Sequence, residues 1–378
     1  MRIGVDVRPF LSRETGVGTY LKNLLFQLAR IDKANEYCLF SSSWKERFPG
    51  EKVPPFARSR FRDLRIPVRV MNFLWYRLGG PSFDSFFGAK LDLTHSPTPL
   101  ALPTRGKKIV TIYDPFFLDD PGKADKQARD VFSKKAGKSL ENADGILTIS
   151  EFTRRAVLER FSLDEAKIKV TPLGFNPLFL EDVPAQVLEA TRRKYALPER
   201  FLLFVGAVEF RKNLVTLAEA LAKVHEAGEK VALVVAGRKG EDSANLDEAV
   251  ARFRLGNWVK RLGYLPGSEI RDLYRLAHIF VFPSLCEGFG LPLLEAMACG
   301  LAAAVSRAGA LPEVGGEAAA YFDPIDTDEI AGVLLGLLRD AGKRRELAEK
   351  GKERAILFSW ESTARETLAF YEKVAGAR

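Results

Sequence analysis

The stretch Cys286-Glu287-Gly288-Phe289-Gly290-Leu291-Pro292-Leu293-Leu294-Glu295-Ala296-Met297-Ala298-Cys299-Gly300 reads as a loop running straight into a short helix. Pro292 suits the first helical position, where its missing N–H costs nothing, and Gly300 suits the left-handed residue after the last turn. Glu287 is thereby placed in the loop and Glu295 in the helix. Gly288 and Gly290 allow the backbone to approach a ligand closely, and the free amides at the helix start favour an anion such as a phosphate. A nucleotide diphosphate meets that description. The bland alternative is a helix with a solvated Glu at each end.

Upstream, Ile279 to Pro283 is a short apolar run of the kind that makes a buried strand, and it belongs to a series. Phe201 to Val205, Val231 to Ala236 and Ala302 to Val305 read the same way, with helical patterns between them. An earlier series comprises Arg2 to Val7, Tyr37 to Phe40, Lys108 to Tyr113, Gly145 to Ile149 and Ile168 to Thr171. Alternating strands and helices predict mostly parallel sheets, an α/β class, and 378 residues suit two domains. The joint is expected between Leu178 and Pro198, where prolines flank a polar helix. Ligands of doubly wound sheets bind beyond the carboxyl ends of the strands. Glu287 and the pair Arg211-Lys212 both follow strands on that side.

An acidic residue, Gly-Phe-Gly, Pro and a second acidic residue eight positions on resemble the E-x7-E motif of the retaining glycosyltransferases of family 4 (group 1). Further matches are Thr15-Gly16-Val17-Gly18-Thr19-Tyr20, Val205-Gly206 followed by Arg211-Lys212-Asn213, Leu311-Pro312-Glu313 and Phe358-Ser359-Trp360. The resemblance implies the GT-B fold, two Rossmann-like doubly wound domains facing a cleft. Residues 1–182 are then the acceptor-binding domain and 183–358 the nucleotide-sugar domain. Residues 359–378 are a helix crossing back to the first.

Such an enzyme must stabilise charge on a departing diphosphate, and Arg211 and Lys212 are the candidate cations. Because cations at a helix start oppose its dipole, the pair before Leu214 calls for more than a solvated surface. Many family members carry an Arg directly after the glycine; here Ala207 stands after Gly206, and Arg211 takes the task. By resemblance Glu295 binds ribose hydroxyls and Glu287 sugar hydroxyls, while the amides of Gly288, Phe289, Gly290 and Leu291 meet sugar and phosphate. Neither carboxylate is expected to be a covalent nucleophile. The leaving phosphate serves as base on the same sugar face, whereas a glycosyl-enzyme needs a carboxylate on the opposite face.

Gly16-Val17-Gly18 leaves room for a phosphate before Thr19-Tyr20 opens a helix, although a flexible turn explains a lone G-x-G as well. Tyr113-Asp114 stands where the family often has His-Asp. Tyr113 can offer a hydroxyl there, and Asp114 is the candidate catalytic residue on the acceptor side. Ser150 reads as an N-cap, as does Asp326 in Asp326-Thr327-Asp328, so no metal site and no cofactor are expected. His95 ends a strand on the cleft side, where a structural role is the commoner outcome.

Three cysteines and three histidines lack metal-ligand spacing, and no apolar run is long enough to span a membrane. A cytoplasmic protein with reduced thiols is expected. Charge is uneven: residues 1–180 hold 30 basic and 20 acidic residues, and residues 181–378 hold 27 and 29. The basic half predicts an anionic partner: a membrane surface, a lipid diphosphate acceptor or nucleic acid. Arg58 to Leu78 interleaves six arginines with aromatic and aliphatic residues. That pattern suits either the inner face of a membrane or a strand followed by a core helix broken at Pro67. The function expected is transfer of a hexose, mannose from GDP-mannose, to a glycan or lipid-linked acceptor in envelope polysaccharide synthesis. The alternatives are a UDP-sugar-dependent glucosyl or N-acetylglucosaminyl transferase and a basic nucleic-acid-binding protein. The last lacks any recognisable helix-turn-helix, zinc-finger or RNP sequence.

Overall fold

A computed structural model describes residues 1–11, 16–115 and 135–376, so Thr15 lies outside the described residues. The chain divides into two compact units, Met1–Gly174 with Ser359–Arg378, and Phe175–Phe358. Each is a parallel sheet with helices in the crossovers. The first contains β1 (Arg2–Asp6), β2 (Glu36–Ser42), β3 (Ser59–Leu64), β4 (Leu93–Ser96), β5 (Lys107–Ile112), β6 (Gly145–Thr148) and β7 (Ile168–Val170), in spatial order β3-β2-β1-β4-β5-β6-β7. The second contains β8 (Phe201–Val205), β9 (Ala232–Ala236), β10 (Val259–Gly263), β11 (Ile279–Phe282), β12 (Ala303–Ser306) and β13 (Ala319–Phe322), in order β10-β9-β8-β11-β12-β13. Both are doubly wound Rossmann-like sheets. The order reverses beside β1 in one and beside β8 in the other, and the crevice outside the strand ends at such a reversal is where these sheets bind ligands.

The central strands are buried on both faces, which is why they read as unbroken apolar runs. The edges read differently. Val259-Lys260-Arg261-Leu262-Gly263 is half-buried throughout and pairs only with β9, and its mixed composition carries no strand signal. In the first unit the stretch from Arg58 forms β3 and then, past Pro67, the helix Val68–Arg77. Met71 and Trp75 of that helix pack into a core with Phe40, Phe83 and Phe87. Val68 at its first turn and Val70 and Phe73 on its other face are exposed.

The helix Trp360–Ala375 belongs to the first unit, capped by Ser359 Oγ, which accepts from Ser362 N. Phe370 fills the space above Gly145 of β6, where a Cβ would lie 2.8 Å from its ring. Thr363 Oγ1 donates to Pro172 O at 2.6 Å. Residues 175–182, expected in the first domain, cluster with the second unit instead. The turn Pro177–Leu180 buries Phe179 against Tyr274, and Cys299 Sγ donates to Phe179 O.

Candidate active site

The sequence after β8 turns sharply at Gly206 (φ 151°) and passes through a 3-10 turn, Phe210–Lys212. It enters the helix Leu214–Glu226 through Asn213 in the left-handed conformation (φ 57°, ψ 38°). Asparagine tolerates that backbone, and its side chain ties the turn down. Asn213 Nδ2 donates to Pro283 O at 3.2 Å and to Pro324 O at 2.6 Å. Leu285 N donates to Arg211 O at 2.8 Å. The loops after β8 and β11, the two strands flanking the order reversal, are thereby joined.

At that joint Lys212 Nζ makes a short ion pair with Glu287 Oε1, and Arg211 donates to Glu287 Oε2 at 3.2 Å. Arg211 also donates to Glu209 Oε2 at 3.2 Å, a partner for which the sequence offers no signal. Lys212 and Glu287 are 6% and 7% exposed, so the charges are matched inside the protein rather than in water. The Lys212 ammonium also lies 4.7 Å from the centre of the Phe282 ring. Burial raises the Glu287 carboxyl, but Lys212 and Arg211 outweigh it and hold the group below its usual range. For Lys212 burial wins over Glu287, and its ammonium is lowered.

Glu287 sits in the loop and Glu295 in the helix Leu291–Ala298, as the sequence predicts. Pro292 falls one place later than the first helical residue, which is Leu291, and the left-handed residues are Gly290 (φ 102°) before the helix and Gly300 (φ 69°) after it. Gly290 has a packing reason as well: a Cβ there would meet Leu311 at 2.5 Å. Phe289 offers the site only its backbone, because its side chain is 3% exposed and turned into the unit. Glu295 has a different environment from Glu287. Among the described residues it pairs with no cation, and Tyr274 Oη, 3.3 Å away, is its hydrogen-bond donor. Burial pushes its carboxyl up to about 8, only partly offset by that hydroxyl.

Two backbone supports of this site have no motif in the sequence. Gly309 (φ 65°) lies so close to Glu287 that a Cβ would meet its carbonyl oxygen at 2.5 Å, and Ala310 N donates to that oxygen at 2.9 Å. Gly237, after β9, likewise leaves no room for a Cβ, which would fall 1.9 Å from Gly206 O. A single sequence gives no hint that residues so distant in the chain meet.

The remaining candidates lie in the first unit. The first helix begins at Gly16 rather than at Thr19, so Gly16-Val17-Gly18 is its first turn and no Cβ clash explains Gly16. Asp114 follows β5 and is half-buried. The Tyr113 hydroxyl is a correction: it is buried without a hydrogen-bond partner among the described residues, and the ring packs edge-on against Tyr20 at 5.0 Å. It therefore presents no hydroxyl to a ligand. Both nitrogens of His95 are used internally, Nδ1 with Tyr371 Oη and Nε2 with Thr111 Oγ1, each at 2.6 Å, and burial depresses its pKa to about 3. Ser150 and Asp326 are N-caps, accepting from Thr153 N and from Asp328 N and Glu329 N.

Residues 188–354 match the family described as glycosyl transferases group 1, and residues 15–177 match glycosyltransferase family 4. The O-antigen chain mannosyltransferase B of Escherichia coli is 30% identical over 98% of this chain and 100% of its own. This chain is a group 1, family 4 glycosyltransferase. A second Escherichia coli relative, the serotype-specific mannosyltransferase WbdA, is 31% identical over 66% of the chain, which spans 30% of that longer protein. Among solved structures, sucrose-phosphate synthase from Thermosynechococcus elongatus superposes with a TM-score of 0.78 at 22% identity, covering 100% of both chains. The fold of this glycosyltransferase is thus GT-B, and membership of an enzyme family answers the nucleic-acid-binding alternative.

Proposed function

We propose that this glycosyltransferase moves mannose from GDP-mannose, with retention, to a glycan or lipid-linked acceptor in cell-envelope polysaccharide synthesis. The observation that carries the reading is the cluster of buried Lys212 and Glu287 with half-buried Arg211 at the order reversal of the second sheet. Two cations, Lys212 desolvated and Arg211 half-buried, already placed by the loop need little rearrangement to meet charge developing on a departing diphosphate. Glu287, once released from them, has an ionised carboxylate for sugar hydroxyls. Glu295, in the helix that follows, binds the ribose hydroxyls. Positive charge supplied by side chains and by the amides from Gly288 to Leu291 takes the place of a divalent metal, so transfer proceeds in EDTA. Asp114 serves the acceptor side, and the first turn from Gly16 to Gly18 offers backbone donors to a phosphate.

The names of the two mannosyltransferase relatives support mannose over glucose or N-acetylglucosamine. An anionic lipid-linked acceptor is supported by a groove of 560 Å³ in the first unit, lined by Phe73, Tyr76 and Leu100 together with Arg77 and Lys135. The basic first half and the outer face of the helix Val68–Arg77 support peripheral attachment at the inner face of the membrane. The test is thermal stabilisation by GDP, UDP and ADP and their sugars, where a ligand at 100 times its Kd adds about 2.7 kcal/mol. Stabilisation by GDP and GDP-mannose alone is the expected result. A response confined to UDP and its sugars establishes the UDP-sugar alternative, and loss of transfer in EDTA with rescue by manganese overturns the metal-free mechanism.

A further inference from the structure

The loop Glu287–Leu291 is held by residues outside the Lys212–Arg211–Glu287 cluster. Gly309 and Ala310 fix the Glu287 peptide, Leu311 fills the space facing Gly290, and the third hold is an aromatic pair. The Phe289 ring meets Phe358 edge to face, with centroids 5.8 Å apart and planes at 79°. Phe358 is in turn covered by the Arg354 guanidinium, 5.4 Å from its centroid. Arg354 is fixed as well, donating from Nε to Val314 O at 3.0 Å and from a terminal nitrogen to Glu313 O at 2.8 Å. Those carbonyls belong to the short helix Leu311–Gly315, whose first residue packs on Gly290. The contacts close a ring: loop, Phe358, Arg354, short helix and back to the loop.

We infer that Phe358 is a positioning residue for glycosyl transfer, setting the Glu287–Leu291 loop through Phe289. Phe289 stands between two glycines, whose backbones resist distortion least, so the rigidity of the loop's middle depends on what grips the side chain between them. An edge-to-face aromatic pair fixes orientation as well as position. A loop displaced by about 1 Å leaves the donor bound but misaligned, and misplacement on that scale costs about 100-fold in rate. Phe358 is also the last residue of the second unit, and Ser359 caps the helix that belongs to the first. The setting of the donor loop is therefore linked to the point where the chain leaves the unit.

The inference rests on assigning that loop to the donor, and the experiment separates the two. Steady-state kinetics are measured with whichever nucleotide sugar the parent enzyme uses, for Phe358→Leu, Phe358→Tyr, Phe289→Leu, the double Leu variant and Glu287→Gln. Phe358→Leu keeps apolar volume and loses the aromatic edge. It is expected to lower kcat at least 10-fold, with donor KM changed less than threefold and the melting temperature near the parent's. Phe358→Tyr restores the rate. The double Leu variant is no slower than the slower single variant, because both changes remove the same contact. Parental kcat in Phe358→Leu, or multiplying losses in the double variant, overturns the inference while an inactive Glu287→Gln leaves the donor assignment standing. Parental kcat in Glu287→Gln as well overturns both.

Discussion

The two sheets share one strand order up to the sixth strand, and each holds a buried ion pair where that order reverses, but the pairs are built differently. In the first unit Asp6 and Arg8 are two residues apart on one turn after β1. Arg8 donates to both Asp6 oxygens, to Asn72 Oδ1 at 2.9 Å, and lies 4.6 Å from the centre of the Trp75 ring. The guanidinium is buried, with Asp6, Asn72 and Trp75 of its own unit as partners. In the second unit Lys212 and Glu287 come from different crossovers, 75 residues apart, and Arg211 shares the carboxylate. A pair closed within one turn stabilises the turn. A pair bridging two loops on the ligand side can exchange partners with a charged ligand, as a leaving diphosphate would require.

The largest effect expected from that contrast is on stability in the first unit. Asp6→Ala leaves Arg8 charged and buried without its partner, a change that costs about 3–5 kcal/mol. Urea unfolding should show the loss, and a variant as stable as the parent removes the distinction between the two pairs. Next comes turnover in the second unit. Lys212→Ala should lower kcat/KM for the donor by about 3 kcal/mol, roughly 100-fold or more, by removing a preorganised cation from the leaving diphosphate. Arg211→Ala should be impaired in the same direction. Parental kinetics in both variants place the phosphates elsewhere.

Much of this arrangement was legible in the sequence where local chemistry decides it. The central strands were legible because both faces are buried, and Pro292 and Gly300 bounded the helix after Glu287 because their backbone demands are intrinsic. The edge strand β10 was not, since a strand paired on one side needs no apolar run, and β13 was missed although Ala319–Phe322 is apolar. The first helix started three residues before its reading because glycine weakens a helix without forbidding one. In the candidate site Lys212, Arg211 and Glu287 met as their strand-end positions implied. Tyr113 turned inward, against its reading, because packing against Tyr20 outweighed the unpaired hydroxyl. Glu209, Tyr274 and Gly309 carried no local signal, since their roles exist only through residues distant in the chain.

The two carboxylates sharpen the comparison at a smaller scale, because their pH dependences have opposite signs. Glu295 has a folded pKa of about 8 against an ordinary 4.5. Between those values the folded chain retains a proton that the unfolded chain has lost, so stability falls as pH rises through the window. Glu295→Gln should therefore gain on the parent by up to about 1.4 kcal/mol per pH unit between pH 5 and 8. Glu287 lies below its ordinary value, so its contribution is present above pH 4.5 and is lost as pH falls through its folded pKa. Urea midpoints across pH 3–8 distinguish the two. Parallel curves for the parent and Glu295→Gln would show that burial does not raise that carboxyl.

The smallest effect concerns the first unit's surface, where the arginines from Arg60 to Arg77 divide into two groups. Arg60 pairs with Glu36 and donates to Phe87 O, and Arg62 donates to Phe86 O, so both serve the fold. Arg65, Arg69 and Arg77 are exposed, beside Val68, Val70, Phe73 and Leu78, which are 40%, 46%, 55% and 65% exposed. If this face meets anionic lipid, each exposed arginine contributes about 1 kcal/mol and the apolar side chains hold the contact. Changing Arg65, Arg69 and Arg77 to Ser should then reduce flotation with anionic vesicles far more than changing Arg60 and Arg62. Neutral vesicles should recover little of either protein, and added salt should weaken binding of the parent because exposed charges are screened. Equal recovery of the parent on anionic and neutral vesicles would remove the membrane from the account. The charge excess of the first half would then belong to the acceptor alone, and the groove beside Arg77 and Lys135 would be the place to seek its anionic group.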